Sequence, residues 1–189
     1  MSDSAKPPLS ALRPAVFLDR DGTLIRDTGY LDNVAGVRLL PGVGPALAAL
    51  ARAGFALVVV TNQSGIGRGL IRAEIVEQQH ERLRELLRPN GVELAAVEYC
   101  PHAPDAGCAC RKPRPGMLLR AAARLRLELK ASFMVGDKTA DVAAGQAAGC
   151  RTIFLGTTAA EADFNAPDVP AAAAWILARG PGTIPVTRF

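Results

Sequence analysis

Apolar residues in this chain fall in short continuous runs, each closed by a polar or glycine position, with longer helical patterns between them. Residues 15–18 form the first run and end at Asp19. Residues 56–60, rich in β-branched side chains, end at Thr61. A weaker run at 97–99 ends at Cys100, 133–135 ends at Gly136-Asp137, and 152–155 ends at Gly156. Helical patterns lie between them at 43–53, stopped by Gly54, and at 73–87, stopped by Pro89-Asn90-Gly91. Two more follow: one opens at Pro115 and runs to about 127, and one spans 141–148 and stops at Gly149. Strands that are apolar throughout, rather than alternating, are buried on both faces. Alternation with helices then predicts an α/β fold, a three-layer Rossmann-like domain with a central parallel sheet. Without an internal repeat or linker, one domain over 14–179 is expected, with loose ends at 1–13 and 180–189.

The segments that follow the strands carry the chemistry. Ligands of open α/β sheets bind beyond the carboxyl ends of the strands. Here those ends bear Asp19-Arg20-Asp21-Gly22-Thr23, Thr61-Asn62-Gln63-Ser64-Gly65 and Gly136-Asp137-Lys138. A parallel sheet gathers them in one crevice, as a phosphate and magnesium site: hard carboxylate oxygens suit Mg²⁺, and a carboxylate can accept a phosphoryl group. Each segment also has an ordinary reading. Asp and Gly are turn formers, Thr61-Asn62 suits a helix N-cap, and a lone Lys138 suits the surface. Their shared position after three buried strands favours chemistry.

Cys100-Pro101-His102 and Cys108-Ala109-Cys110 place four soft ligands in one short Gly/Pro-containing loop, enough for a closed tetrahedral Zn²⁺ site. The alternative is a disulfide, disfavoured by the strain of a Cys-x-Cys bridge and by a reducing compartment. Arg111 and Lys112 follow Cys110 directly, so zinc would fix the backbone that presents both cations, a structural rather than catalytic task. Cys150 reads as a small core residue, and His80, in a charged helix, as solvated. Trp175 reads as an anchor for the last helix, and Gly65, Gly67 and Gly69 do not form a dinucleotide fingerprint.

Composition narrows the classes further. The chain has 189 residues, 49% hydrophobic and 21% charged, with a net charge of +4, ordinary for a globular protein. Its basic residues are scattered: Arg68, Arg72, Arg82, Arg84 and Arg88 mostly interleave with Glu74, Glu77, Glu81 and Glu85, so no nucleic-acid partner is expected. No apolar run is long enough to span a bilayer, and residues 1–16 lack a signal-peptide pattern, so a cytoplasmic protein without a membrane partner is expected.

Residues 18–24 (Leu-Asp-Arg-Asp-Gly-Thr-Leu) resemble the first motif of the haloacid dehalogenase-type phosphatases. Thr61-Asn62, Arg111-Lys112-Pro113 and Val135-Gly136-Asp137-Lys138 resemble the second, third and fourth. Within that superfamily the chain resembles the histidinol-phosphatase-like branch, and in it the heptose-bisphosphate phosphatases. That likeness rests on residues 61–69, Asp27-Thr28-Gly29-Tyr30 and residues 111–117. The resemblance covers about 15–149 and implies that Asp19 is the nucleophile and Asp21 the acid and base. Mg²⁺ would be held by Asp19, Asp137 and the backbone carbonyl of Asp21. Thr61 and Lys112 would stabilise the transferring phosphoryl group, and Asp141 would bond the lysine or a metal-bound water. Asp27, Thr28, Gly29, Tyr30, Asn62, Gln63, Ser64, Arg111 and Lys138 would contact a small phosphorylated sugar. The implied enzyme is a monomeric heptose-bisphosphate 7-phosphatase of nucleotide-activated heptose synthesis. The alternatives are a phosphatase of the same branch for histidinol phosphate or another small phosphomonoester, or a zinc-stabilised module without catalysis that binds nucleic acid or a partner protein. After Gly149 the chain departs from the family pattern, and residues 151–189 carry nothing over.

Overall fold

Six strands line up in parallel in the order β3-β2-β1-β4-β5-β6. The computed structural model describes residues 12–157 and 161–180. In chain order the elements are β1 (Ala15–Leu18), α1 (Val43–Arg52), β2 (Ala56–Asn62), α2 (Ser64–Gly67), α3 (Ala73–Leu87) and β3 (Ala96–Cys100). There follow α4 (Gly116–Leu125), β4 (Phe133–Gly136), α5 (Thr139–Ala148), β5 (Arg151–Leu155), β6 (Phe164–Ala166) and α6 (Val169–Leu177). Two apolar cores form, one on each face of the sheet. Val16 and Leu18 of β1, Leu57 and Val59 of β2, and Phe133 and Val135 of β4 face α1, α3 and α6. Ala15, Phe17, Ala56, Val58, Val60 and Met134 face α4 and α5 instead. Alternate residues of one strand thus go to opposite cores, which is why these strands read as unbroken apolar runs.

Several boundaries move, each for a pairing reason. β2 continues to Asn62 rather than stopping at residue 60, because Thr61 and Asn62 pair with Tyr99 and Cys100 of β3. α5 starts at Thr139, with Asp141 inside its first turn accepting from Lys138 N at 3.0 Å. β6 is an element the chain pattern does not announce, being three residues that lean on β5. Of the expected loose ends, 1–11 and 181–189 lie outside the described residues, while Arg13 bridges Leu127. Trp175 of α6 stacks on Phe164 of β6 with ring centroids 4.9 Å apart and meets Phe133 edge-on.

His80 corrects the reading of α3. It is 3% exposed, tilted against the Tyr99 ring of β3, and its Nε2 has no hydrogen-bond partner. The buried face of α3 is Val76, Gln79, His80, Leu83 and Leu87, a helical stripe in which two polar residues mask the periodicity. Burial, with help from Arg20 and Arg84, pushes the His80 imidazole down to about 3, so it stays neutral.

Candidate active site

Strand order reverses between β1 and β4, the point where open α/β sheets leave a crevice. Asp19 leaves β1 there, its N–H donating to Val135 O at 2.9 Å, and Asp137 leaves β4 beside it. Asp19 is 5% exposed and meets the Lys112 ammonium at 2.5 Å. Lys112, 4% exposed, also reaches Asp141 Oδ1 at 2.6 Å and donates to Val60 O at 2.8 Å. It arrives from the loop between β3 and α4 because Asn62, at the end of β2, clasps its backbone: Asn62 Nδ2 donates to Lys112 O and Lys112 N to Asn62 Oδ1, both at 3.1 Å.

Ligand oxygens of Asp19, Asp137 and Asp141 lie within 4.8 Å of one another. Three carboxylates against one ammonium leave surplus negative charge in a dry place. Burial pushes the Asp19 carboxyl up to about 7, with Asp141 and Asp21 adding to the push while Lys112 opposes it. Burial raises Asp137 as well. It works against the Lys112 charge too, but Asp19 and Asp141 together hold that ammonium's pKa above the ordinary lysine value. Asp137 Oδ1 is buried without a partner. Gly22, at φ +85°, permits the crowding, since a Cβ there would stand 2.3 Å from Asp137 Oδ2. An orphaned carboxylate oxygen within a surplus of negative charge fits a divalent cation.

Asp21 sits beside this cluster. Its Oδ2 accepts from Gln63 Nε2 at 2.8 Å and from Thr61 Oγ1 at 3.4 Å, and Gln63 also donates to Thr61 Oγ1 at 2.8 Å. The Asp21 carboxylate accepts from these protein donors and lies outside the acidic cluster.

The four soft residues converge as well. Cys100 Sγ lies 3.5 Å from Cys108 Sγ and 3.6 Å from His102 Nδ1. Cys110 Sγ lies 3.5 Å from Cys108 Sγ and 3.3 Å from His102 Nδ1. All three cysteines are free thiols. A tetrahedron of metal–sulfur bonds about 2.3 Å long has edges of about 3.7 Å, close to these separations and far from a disulfide. The loop is tied to the segment after β2: Gln63 N donates to Cys100 O at 2.7 Å and Gly67 N to Pro101 O at 2.8 Å. A Cβ on Gly67 would stand 2.5 Å from Ala103 N, so that glycine serves close packing of the two loops.

Above these groups opens a cleft of about 360 Å³ whose lining includes Asp21, Asp27, Gly29, Tyr30, Asn62, Gln63, Ser64, Arg111 and Lys138. Lys138 pairs with Asp27 at 3.0 Å, and Gly29 N closes a turn on Asp27 Oδ1 at 2.9 Å. Arg68 donates to the Tyr30 hydroxyl at 2.5 Å across the rim. Arg111 Nη1 is buried without a partner. Of the nine expected substrate contacts, Thr28 alone is missing from the cleft lining; it borders a cavity of about 530 Å³ with Arg26 and Arg38. Asn62 borders the cleft, but its side chain is already bonded to the Lys112 backbone.

The chain is similar in sequence and fold to known proteins. Residues 109–176 match a family model described as HAD-hydrolase-like. The D-glycero-beta-D-manno-heptose-1,7-bisphosphate 7-phosphatase of Photorhabdus laumondii is 46% identical over 149 residues, 75% of this chain and 79% of the relative. Its Escherichia coli K12 counterpart is 43% identical over 175 residues, 87% and 88% of the two chains. This chain belongs to that phosphatase family of haloacid dehalogenase-like hydrolases. Among solved structures, the D,D-heptose 1,7-bisphosphate phosphatase from B. bronchiseptica, complexed with magnesium and phosphate, superposes with a TM-score of 0.80 at 31% identity. It covers 89% of this chain and 100% of its own. A HAD-like phosphatase from Mesorhizobium loti gives 0.78 at 36% identity, covering 95% and 92%. The fold expected of the haloacid dehalogenase-like phosphatases is the one observed.

Two residues of this family member escape the sequence. Arg20 and Gln79 are both buried and bonded to each other, Arg20 Nη1 donating to Gln79 Oε1 at 3.0 Å. Arg20 stands inside the first motif, where its position between two aspartates was the available signal. Gln79 gives none, lying in a helix whose sequence reads as charged and solvated. No helix among the described residues is long and apolar enough to cross a membrane.

Proposed function

We propose that this chain hydrolyses the 7-phosphate of D-glycero-beta-D-manno-heptose 1,7-bisphosphate through an aspartyl-phosphate intermediate, in nucleotide-activated heptose synthesis. The observation that carries the reading is Asp19 at the sheet's switch point, paired with Lys112 at 2.5 Å and set beside Asp137 and Asp21. In the first step an Asp19 carboxylate oxygen attacks phosphorus, the bond from phosphorus to the sugar's O7 breaks, and the Asp21 carboxyl gives its proton to that oxygen. In the second, Asp21 takes a proton from water as the water attacks phosphorus. The bond to Asp19 then breaks, inorganic phosphate leaves and both carboxyls return to their starting state. Lys112 and the Thr61 hydroxyl bear on the negative charge of the phosphoryl oxygens.

Magnesium, when held by Asp19, Asp137 and the Asp21 carbonyl, supplies charge neutralisation at the phosphoryl group. Asp141 acts on Lys112 instead, orienting its ammonium. Cys100, His102, Cys108 and Cys110 would hold zinc, whose role would be structural, fixing the backbone that presents Arg111 and Lys112. Arg111 and Lys138, with Arg68 at the rim, offer cations to the phosphate that stays on the sugar, and binding energy there aligns the reacting one. A monomer in the cytoplasm completes the proposal.

Phosphate release from the heptose bisphosphate, histidinol phosphate and simple sugar phosphates tests the assignment. The bisphosphate is expected to have much the highest kcat/KM, and Asp19→Asn to lower turnover by several orders of magnitude without unfolding the protein. Arg111→Ala should cost the bisphosphate about 2–3 kcal/mol of transition-state binding and a monophosphate less. Comparable kcat/KM for histidinol phosphate and the bisphosphate would refute the substrate while leaving the phosphatase standing.

A further inference from the structure

The Asp21 carboxylate is gripped from behind by its own neighbour. Arg20 Nε donates to Oδ2 and Arg20 Nη2 lies against Oδ1, both at 3.0 Å, a fork on a carboxylate formed by adjacent residues. Arg20 is only 2% exposed, and an arginine that deep is costly unless its N–H groups find acceptors. Its remaining edge is met by Gln79 Oε1 at 3.0 Å. Gln79, 1% exposed, turns its Nε2 outward to Leu31 O at 2.7 Å and Asn33 O at 3.3 Å. A continuous run of hydrogen bonds therefore leads from Asp21, through a buried guanidinium and a buried amide, to the backbone just after Asp27, Gly29 and Tyr30. That stretch forms one wall of the cleft.

We propose that Arg20 and Gln79 are positioning residues for the reaction. Arg20 fixes the plane of the Asp21 carboxyl at the leaving oxygen, and Gln79 ties that plane to the loop bearing the substrate contacts. The inference rests on Asp21 acting as acid and base. The side chains suit the task. A guanidinium fork constrains a carboxylate in two directions, where a lysine would hold it at a single point. An amide is the side chain of that length that can accept from arginine and donate to a carbonyl at once. Leucine at position 79 would fill the volume and break both links, whereas glutamate would keep the acceptor for Arg20 and lose the donor to Leu31 and Asn33.

Leaving-group dependence separates positioning from mere packing. A sugar phosphate must receive a proton as its alkoxide departs, and p-nitrophenyl phosphate loses nitrophenolate without one. In Gln79→Leu, kcat for the sugar bisphosphate is expected to fall by about 10- to 100-fold, a part of what general acid catalysis supplies, with KM within about threefold. The first nitrophenolate, followed in rapid mixing, should appear within about twofold of the wild-type rate. Asp21 also takes the proton from water, so the second step slows, and nitrophenolate should show a burst of about one equivalent per enzyme. Gln79→Glu should show the same pattern at smaller size, and it is the variant to read if Gln79→Leu does not fold. Equal losses in the first step for both substrates, or a folded variant with wild-type kcat, would overturn the positioning role. A wild-type protein that cleaves neither phosphate would instead remove the phosphatase reading itself.

Discussion

Replacing Lys112 by methionine keeps the stem of the side chain and removes one buried charge, so its effects can be worked from the local geometry. The ammonium contacts Asp19 at 2.5 Å and Asp141 at 2.6 Å, with all three side chains nearly excluded from water. Deleting it strands two carboxylates in a low-dielectric pocket beside a third whose Oδ1 already lacks a partner. Removing one member of a buried ion pair costs about 3–5 kcal/mol, most of it from the charge left behind. For a chain of this size that lowers Tm by about 6–20 °C. The assay is thermal unfolding in a chelator that strips magnesium while the cysteine cluster stays loaded, followed by a magnesium titration. Mg²⁺ should return a larger part of the loss in the variant than it adds to the wild type, because it replaces the missing positive charge. Turnover with Mg²⁺ restored should still fall by at least about 10²- to 10³-fold, given the role proposed for Lys112 at the transferring phosphoryl group. A Tm drop of only a degree or two, or equal magnesium stabilisation in both proteins, would refute the account of Lys112 as counter-charge to the acidic cluster.

Three further outcomes follow from other parts of the molecule. The purified protein should carry about one equivalent of zinc, and Cys108→Ser should lose it and impair turnover while Mg²⁺ affinity stays close to wild type; metal analysis and magnesium titration check both halves. Gly22→Ala places a methyl where Asp137 Oδ2 lies 2.3 Å away and at a positive φ. It should cost about 1–2 kcal/mol of stability and weaken the magnesium requirement curve; wild-type activation by Mg²⁺ would show that Asp137 needs no such gap. Between His80's ordinary pKa of 6.5 and its buried value of about 3, the unfolded chain binds a proton that the folded chain refuses. The stability contributed by a neutral His80 is therefore complete above 6.5 and is lost as pH falls through this window. The slope is about 1.4 kcal/mol per pH unit. Denaturant titrations of wild type and His80→Phe at about pH 7 and about pH 5 should diverge by about 2 kcal/mol, and parallel curves would contradict the burial of a neutral imidazole.

What the sequence determined by itself is what depends on neighbours along the chain. Strands buried on both faces must be apolar at every position, so β1, β2 and β4 announce themselves. Helices such as α1 and α3 end where Gly54 and Pro89 interrupt the backbone. Placing Asp19, Thr61 and Asp137 immediately after those runs was enough to gather them, since parallel strands share one carboxyl edge. The cysteine loop was equally legible, its four soft side chains lying within eleven residues. The partners of polar side chains brought together from far apart in sequence were settled by packing instead. Asn62, which borders the cleft, also clasps the Lys112 backbone; Asp141 proves to be the second counter-ion of Lys112; His80 and Gln79 turn inward from a helix that reads as charged. A polar residue looks the same in sequence whether it meets water or a buried partner. Hydrophobic periodicity reports which side of an element is covered, whereas a buried polar group needs a particular acceptor or donor at about 3 Å, and that match exists only once the strands and helices have packed.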